Sequence, residues 1–176
     1  VKLLIKLLVL VLVVFFGVGL LLPTEYGVTR EIVIDAPPEQ IHDHLDDFRS
    51  WLAWSPFHAE DPDMELTYTG PESGVGHKQD WESETIGDGS IEILESDPTS
   101  GLTYRLWFGD TDQTARSRIA FEPVEDGTKV VWSMSGDAAG SILGRWFGLM
   151  MDSLVGPSYE EGLASLKTVV EQEQQG

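Results

Sequence analysis

The chain has 176 residues, 41% of them hydrophobic and 10% aromatic, which is one domain's worth of material and enough for a sizeable core or a lined cavity. Thirty acidic residues against eleven basic ones give a formal net charge of −19, and such a surface repels phosphate backbones and argues against nucleic-acid partners. No cysteine is present, so disulfides, thiolate catalysis and Cys-ligated zinc are all excluded.

The stretch VKLLIKLLVLVLVVFFGVGLLLP is apolar from Leu3 to Leu22 apart from Lys6. About twenty helical residues at roughly 1.5 Å each reach about 30 Å, the thickness of a bilayer core. The run is longer than the apolar part of a secretory signal, and no small-residue cleavage site follows it. Residues 1–23 are therefore predicted to be an uncleaved single-pass anchor in the cell membrane, and residues 24–176 one domain. Lys2 and Lys6 precede the span, which favours an inside amino terminus and a domain outside the cytoplasm.

After Pro23, VTREIVIDAPP reads as a strand from Val28 to Asp35, closed by two prolines. PPEQIHDHLDDF follows as a short helix, with Pro38 in its first turn and Ile41, Leu45 and Phe48 at helical spacing. FRSWLAWSPFH, Phe48 to His58, then brings Trp51, Trp54 and Phe57 at intervals of three. Burying each ring is worth roughly 1.5–3 kcal/mol, so a core plug is a sufficient explanation, and a pocket wall follows from it. From Met64 the period becomes two. MELTYT, HKQDWES, SIEILES, LTYRLWF, QTARSRIAFEP and TKVVWSMSG are six strands separated by Gly- and Asp-bearing turns, an antiparallel meander. The chain closes with a helix from about Ser141 to Glu173, carrying an apolar stripe at Tyr159, Leu163, Leu166 and Val170. Its first half is apolar nearly all round. Gly156-Pro157 should kink or break it, and Gly140, Gly144 and Gly148 should let it approach the sheet closely.

This order of elements is that of the helix-grip fold, and the residues carry a closer likeness. WLAWSPFHAEDPDMELTYTGPESGVGHKQDWES resembles the Trp-Ser-Pro-aromatic, Asp-Pro, Gly-x-Gly, Trp series of the polyketide cyclase/dehydrase-like branch of the SRPBCC (START/Bet v 1-like) superfamily. YEEGLASLK, Tyr159 to Lys167, resembles the aromatic-Glu-x-Gly-Leu-x-x-Leu-Lys run of that branch's terminal helix. The resemblance covers about Gly27 to Val170. It implies an α+β fold: a seven-stranded curved antiparallel sheet around the long C-terminal helix, here with one N-terminal transmembrane helix in addition. It further implies a cavity for lipids, sterols, polyketides or other apolar ligands, without implying one activity.

The expected cavity-lining residues are Trp54, Phe57, Tyr68, His77, Gln79, Trp81, Tyr104, Phe108, Trp132, Trp146 and Met150. His77 and Gln79 share a strand face with Trp81; if that face is inward they are polar handles for a ligand, but a place at a damp cavity rim is the favoured expectation. A metal site from His44, His58 and Asp61 lacks any supporting spacing, so solvated or capping histidines are expected, with no metal and no cofactor. Arg116 and Arg118 are expected to face outward and balance the acidic surface. Tyr68 or Tyr104 with His77 could polarise a carbonyl, but no spacing favours it. The function favoured is non-catalytic binding of a hydrophobic small molecule or lipid at a membrane. A cyclase or dehydrase on a polyketide-like substrate, and a protein-interaction module with a vestigial cavity, are the alternatives.

Overall fold

The computed structural model describes residues 1–109, 114–138 and 140–174. The expected strand start at Gln113 and the side chain of Phe108 lie outside the described residues. A helix, α1 (Lys2–Leu21), precedes the first strand, β1 (Glu25–Ile34). Two short helices, α2 (Pro38–His42) and α3 (Pro56–Glu60), flank a 3-10 turn at Ser50–Ala53. The meander follows as β2 (Glu65–Thr69), β3 (Lys78–Glu82), β4 (Gly89–Asp97), β5 (Gly101–Phe108), β6 (Thr114–Val124) and β7 (Gly127–Asp137), and α4 (Ile142–Glu173) ends the fold.

The seven strands form one antiparallel sheet in the order β1-β7-β6-β5-β4-β3-β2. The meander runs strand to neighbour, and its last strand returns to pair with β1 from Glu25 opposite Asp137 to Ile34 opposite Thr128. This pairing explains why β1 starts before Val28: β7 supplies backbone partners for Glu25, Tyr26 and Gly27, which lack a strand-like side-chain pattern. A register shift between Ile93 and Glu95 on β4 helps to bend the sheet. The concave face buries alternate residues, among them Ile93, Leu102, Ile119, Val130 and Trp132.

The helix α4 lies along this concave face, and Leu163, Leu166 and Val170 are fully buried against it. Of the kink or break expected at Gly156-Pro157, the break does not occur: α4 is continuous through both residues. An internal proline costs about 3 kcal/mol through its missing N–H and its clash with the preceding turn. The turns on either side of Pro157 are tied to the same strand. Arg30 of β1 donates from Nη1 to Asp152 at 2.7 Å and from Nε to Glu160 at 2.6 Å. Farther along, Lys167 Nζ donates to the Val33 carbonyl at 2.7 Å. Of the three glycines expected to admit a close approach, Gly148 meets the Tyr26 side chain and Gly144 meets Ala138, whereas Gly140 faces open space.

The helix α1 is one uninterrupted run of 20 residues, long and apolar enough to cross a membrane. Arg116 and Arg118 lie on the outer face of β6 and both reach Glu95, at 3.0 and 3.8 Å.

Candidate functional site

Between the concave sheet and the middle of α4 lies a cavity of about 410 Å³, within the range of small-molecule sites. Its walls come from four parts of the chain. Trp51, Ser55, Phe57 and His58 descend from the aromatic segment; Gln79, Trp81, Ile91, Tyr104, Leu106 and Met134 project from the sheet; Met151, Leu154, Val155, Ser158 and Tyr159 come from α4; Met64, Thr85 and Ile86 close the side. Most of this lining is apolar.

The cavity ends where α4 comes down onto the sheet. At Gly162 a Cβ would lie 2.8 Å from Trp132 Cζ3 and 2.9 Å from Pro56 Cδ, so only a residue without a side chain lets the helix settle there. One turn earlier the Tyr159 ring stacks on Trp132, with centroids 4.0 Å apart and planes at 14°. That stack is the cavity floor. Its polar atoms are satisfied: Trp132 Nε1 donates to the Tyr104 hydroxyl at 3.0 Å and to Ser117 Oγ at 3.2 Å, and Ser117 Oγ donates to the Ser133 carbonyl at 2.8 Å. Burial pushes both the Tyr104 and Tyr159 phenols above their ordinary range, so both are neutral donors at physiological pH.

The upper wall differs. Both ring nitrogens of His58 and the Oε1 of Gln79 are buried without a hydrogen-bond partner among the described residues. An unsatisfied buried polar group costs about 1–3 kcal/mol, and both residues belong to the cavity lining. Desolvation lowers the His58 pKa below its ordinary value near 6.5, which keeps the ring neutral at pH 7. The sign of the linkage follows: the unfolded chain takes up the proton first, so stability falls as pH drops below about 6.5 and levels off once the folded ring is also protonated. Chemical denaturation of the full chain in detergent at a series of pH values is therefore expected to show a shallower acid loss for His58→Gln than for the native chain. Equal slopes would remove His58 from the buried lining.

Of the residues expected at the cavity, Phe57, Gln79, Trp81 and Tyr104 line it. Trp132 lies directly beneath, covered by Tyr159. Trp54 sits behind the wall, 5.6 Å from the Trp132 ring, with its Nε1 donating to the His44 carbonyl at 3.1 Å. Four others, His77, Tyr68, Trp146 and Met150, are elsewhere. His77 is not at a rim: it is 0% exposed, its ring stacked on Phe48 at 5.1 Å and on Tyr68 at 6.0 Å. Its Nδ1 is 2.7 Å from the Pro71 carbonyl, and its Nε2 is 3.3 Å from Asp47 without good hydrogen-bond alignment. Gln79 is likewise buried and not at a rim. Covering β3 with the Phe48 end of the aromatic segment, a contact distant in sequence, seals this face. Tyr68 lies on the far side of His77, capped by the Arg49 guanidinium at 4.7 Å. Trp146 stacks on Phe15 of α1 at 5.1 Å, and Met150 is exposed on the outer face of α4.

None of the four histidines is simply solvated or capping. His42 bonds Ser96 at 2.8 Å, His44 reaches Glu173 at 3.3 Å, and His58 and His77 are placed as above. Asp61 pairs with Ser83, and no group of three potential metal ligands occurs among the described residues. The lining residues missed by pattern reading are chiefly His58, Met151, Val155 and Tyr159. Tyr159 carried a signal, since its helical stripe marked it as core-facing; His58 had none beyond its place in the aromatic segment.

A family model for polyketide cyclase / dehydrase and lipid transport matches residues 26–171. A comparison with curated protein sequences gives no match. Among solved structures, a Thermobifida fusca protein is similar at 18% identity and a TM-score of 0.62, over 83% of this chain and 93% of that one. A Staphylococcus aureus protein of unknown function is similar at 11% identity and a TM-score of 0.63, over 86% and 97%. DynU16, from the dynemicin biosynthetic locus, is similar at 12% identity and a TM-score of 0.58, over 82% of this chain and 47% of its own length. At such identities the likeness is one of fold.

Proposed function

The chain belongs to the polyketide cyclase/dehydrase and lipid transport family, and on that premise we propose that it binds a hydrophobic small molecule or lipid at a membrane surface, without catalysis. One observation carries this reading: an apolar cavity of about 410 Å³ whose buried polar atoms, at His58 and Gln79, have no hydrogen-bond partner among the described residues. A ligand with an apolar body and one hydrogen-bonding group would fill the space and satisfy them. The α1 helix would anchor the protein in the bilayer from which such a ligand partitions. Its last turns pack against α4, with Gly19 buried there, which supports a retained anchor over a cleaved leader. Lys2 and Lys6 support an inside amino terminus, with the cavity outside the cytoplasm.

His58 also favours a second reading, a cyclase or dehydrase. A neutral imidazole with both nitrogens unengaged is a suitable base for a proton next to a substrate carbonyl.

The test is native mass spectrometry of the full chain, extracted in mild detergent from its own host. One apolar molecule per chain is the expected result. An empty protein that also takes up nothing from a panel of lipids and polyketides would overturn the binding reading. Turnover of a polyketide-like candidate, abolished in His58→Gln, would replace it with the enzymatic one.

A further inference from the structure

The outer face of α4 changes character along its length. Leu143, Phe147, Met150 and Leu154 follow one another at spacings of four, three and four, which stacks them on one helix face. They are 69%, 54%, 56% and 51% exposed. Beyond Pro157 the same face carries Glu161, Ser165, Thr168 and Gln172. Nothing in the fold of the concave sheet requires the first half to differ from the second, since Leu143, Phe147 and Met150 are exposed, as are Glu161, Thr168 and Gln172.

What distinguishes the first half is its neighbour. It packs on the last turns of α1: Phe15 stacks on Trp146 at 5.1 Å and 11°, and Trp146 Nε1 donates to the Phe15 carbonyl at 3.3 Å. A Cβ at Gly19 would lie 2.5 Å from Ile142 and 2.9 Å from Trp146. Arg145 Nη1 donates to the carbonyl of Leu20 at 2.8 Å, at the helix end where backbone acceptors are left over. The apolar stripe is thus continuous with the end of the span, and a Trp and an Arg sit at the junction, residue types suited to the headgroup boundary.

Leu154 belongs both to this stripe and to the cavity lining, and it is exposed, as are the lining residues Glu60 and Thr85. These three mark the cavity mouth, so one edge of the mouth is the last residue of the apolar stripe.

We propose that the first half of α4 lies in the surface of the bilayer that α1 spans, its Leu143–Phe147–Met150–Leu154 face set among the acyl chains. The cavity then opens onto the membrane, and an apolar ligand passes between bilayer and cavity along Leu154 without crossing water. The proposal rests on the anchored, ligand-binding reading above and adds to it the route of entry. An amphipathic segment in this position gains from burial of its apolar face, and it carries only Arg145 and Asp152 as charges, both engaged by the protein.

The chain has no cysteine of its own, so single-cysteine variants report position directly. Full-length Phe147→Cys, Met150→Cys, Thr168→Cys and Leu8→Cys would each carry an environment-sensitive fluorophore in phosphatidylcholine vesicles. Each would be quenched by iodide on both sides and, separately, by nitroxide-bearing lipid. Labels at 147 and 150 are expected to be quenched by the lipid-borne nitroxide and to be several-fold less sensitive to iodide than the label at 168, with the label at 8 protected throughout. Iodide quenching at 147 and 150 equal to that at 168, with the label at 8 protected, would overturn the interfacial placement while leaving the anchor intact. Iodide access at position 8 would remove the anchor, and this proposal with it.

Discussion

Trp132→Ala is expected to destabilise the protein by about 3–5 kcal/mol. Trp132 is 0% exposed and is touched by rings on several sides: Tyr159 stacks on it at 4.0 Å, and Trp54 and Trp51 meet it edge-on at 5.6 and 6.3 Å. Removing the indole opens a hole that the surrounding rings, themselves fixed by hydrogen bonds to the His44 and Leu45 carbonyls, cannot collapse to fill. It also takes the donor from Tyr104 and Ser117, leaving buried hydroxyls short of a partner. For a chain of this size each kcal/mol moves the midpoint by about 2–4 °C, so a fall on the order of 10 °C is expected in a thermal melt of the detergent-solubilised chain. Trp132→Phe keeps a ring for the stack but loses the donor and part of the indole's volume, and it should fall between the two. A melt for Trp132→Ala within a degree or two of the native chain would mean that the floor of the cavity is not packed as described.

The second large effect concerns uptake. Val155→Phe and Ile91→Phe each push a ring into the cavity from a different wall, one from α4 and one from β4. Placing extra volume in a filled core costs about 1–3 kcal/mol, but here the ring enters empty space, so stability should change by less than that. On the binding reading proposed above, the space it takes is the ligand's. Each variant is expected to weaken uptake of the co-purified molecule, or of a fluorescent fatty acyl probe, by at least about tenfold, equivalent to about 1.4 kcal/mol. Thermal melts run alongside separate a blocked cavity from a damaged fold. Native-like uptake by both variants would place the ligand somewhere other than this cavity.

The strands were legible because each faces water on one side and the core on the other, which writes a period of two into Met64–Tyr68, Leu102–Leu106 and Val130–Met134. The stripe of Tyr159, Leu163, Leu166 and Val170 was legible for the same reason at a period of 3.6. The Trp-Ser-Pro and terminal-helix motifs added the family, and with it the order in which the sheet closes around α4. The site was only half legible. His77 and Gln79 share a face with Trp81, and pattern alone put the polar pair at a wet rim, yet both are buried, one sealed between rings and the other facing the cavity.

By itself, then, the sequence determined the kind of each element, the apolar span, the acidic surface and the family. All of these depend on neighbours within a few residues or on composition. Tertiary structure alone decided which aromatic serves which purpose. Trp132 and Trp146 are the same side chain on amphipathic elements, but one is roofed by Tyr159 under a cavity and the other is pressed on Phe15 of a distant helix. His58 and His77 part in the same way, one facing an unfilled space and the other closed by Phe48 and Tyr68. The continuity of α4 through Pro157 belongs here too, since Arg30 holds the turns on both sides from across the fold. Periodicity specifies that a face is covered; what covers it comes from residues far away in the chain.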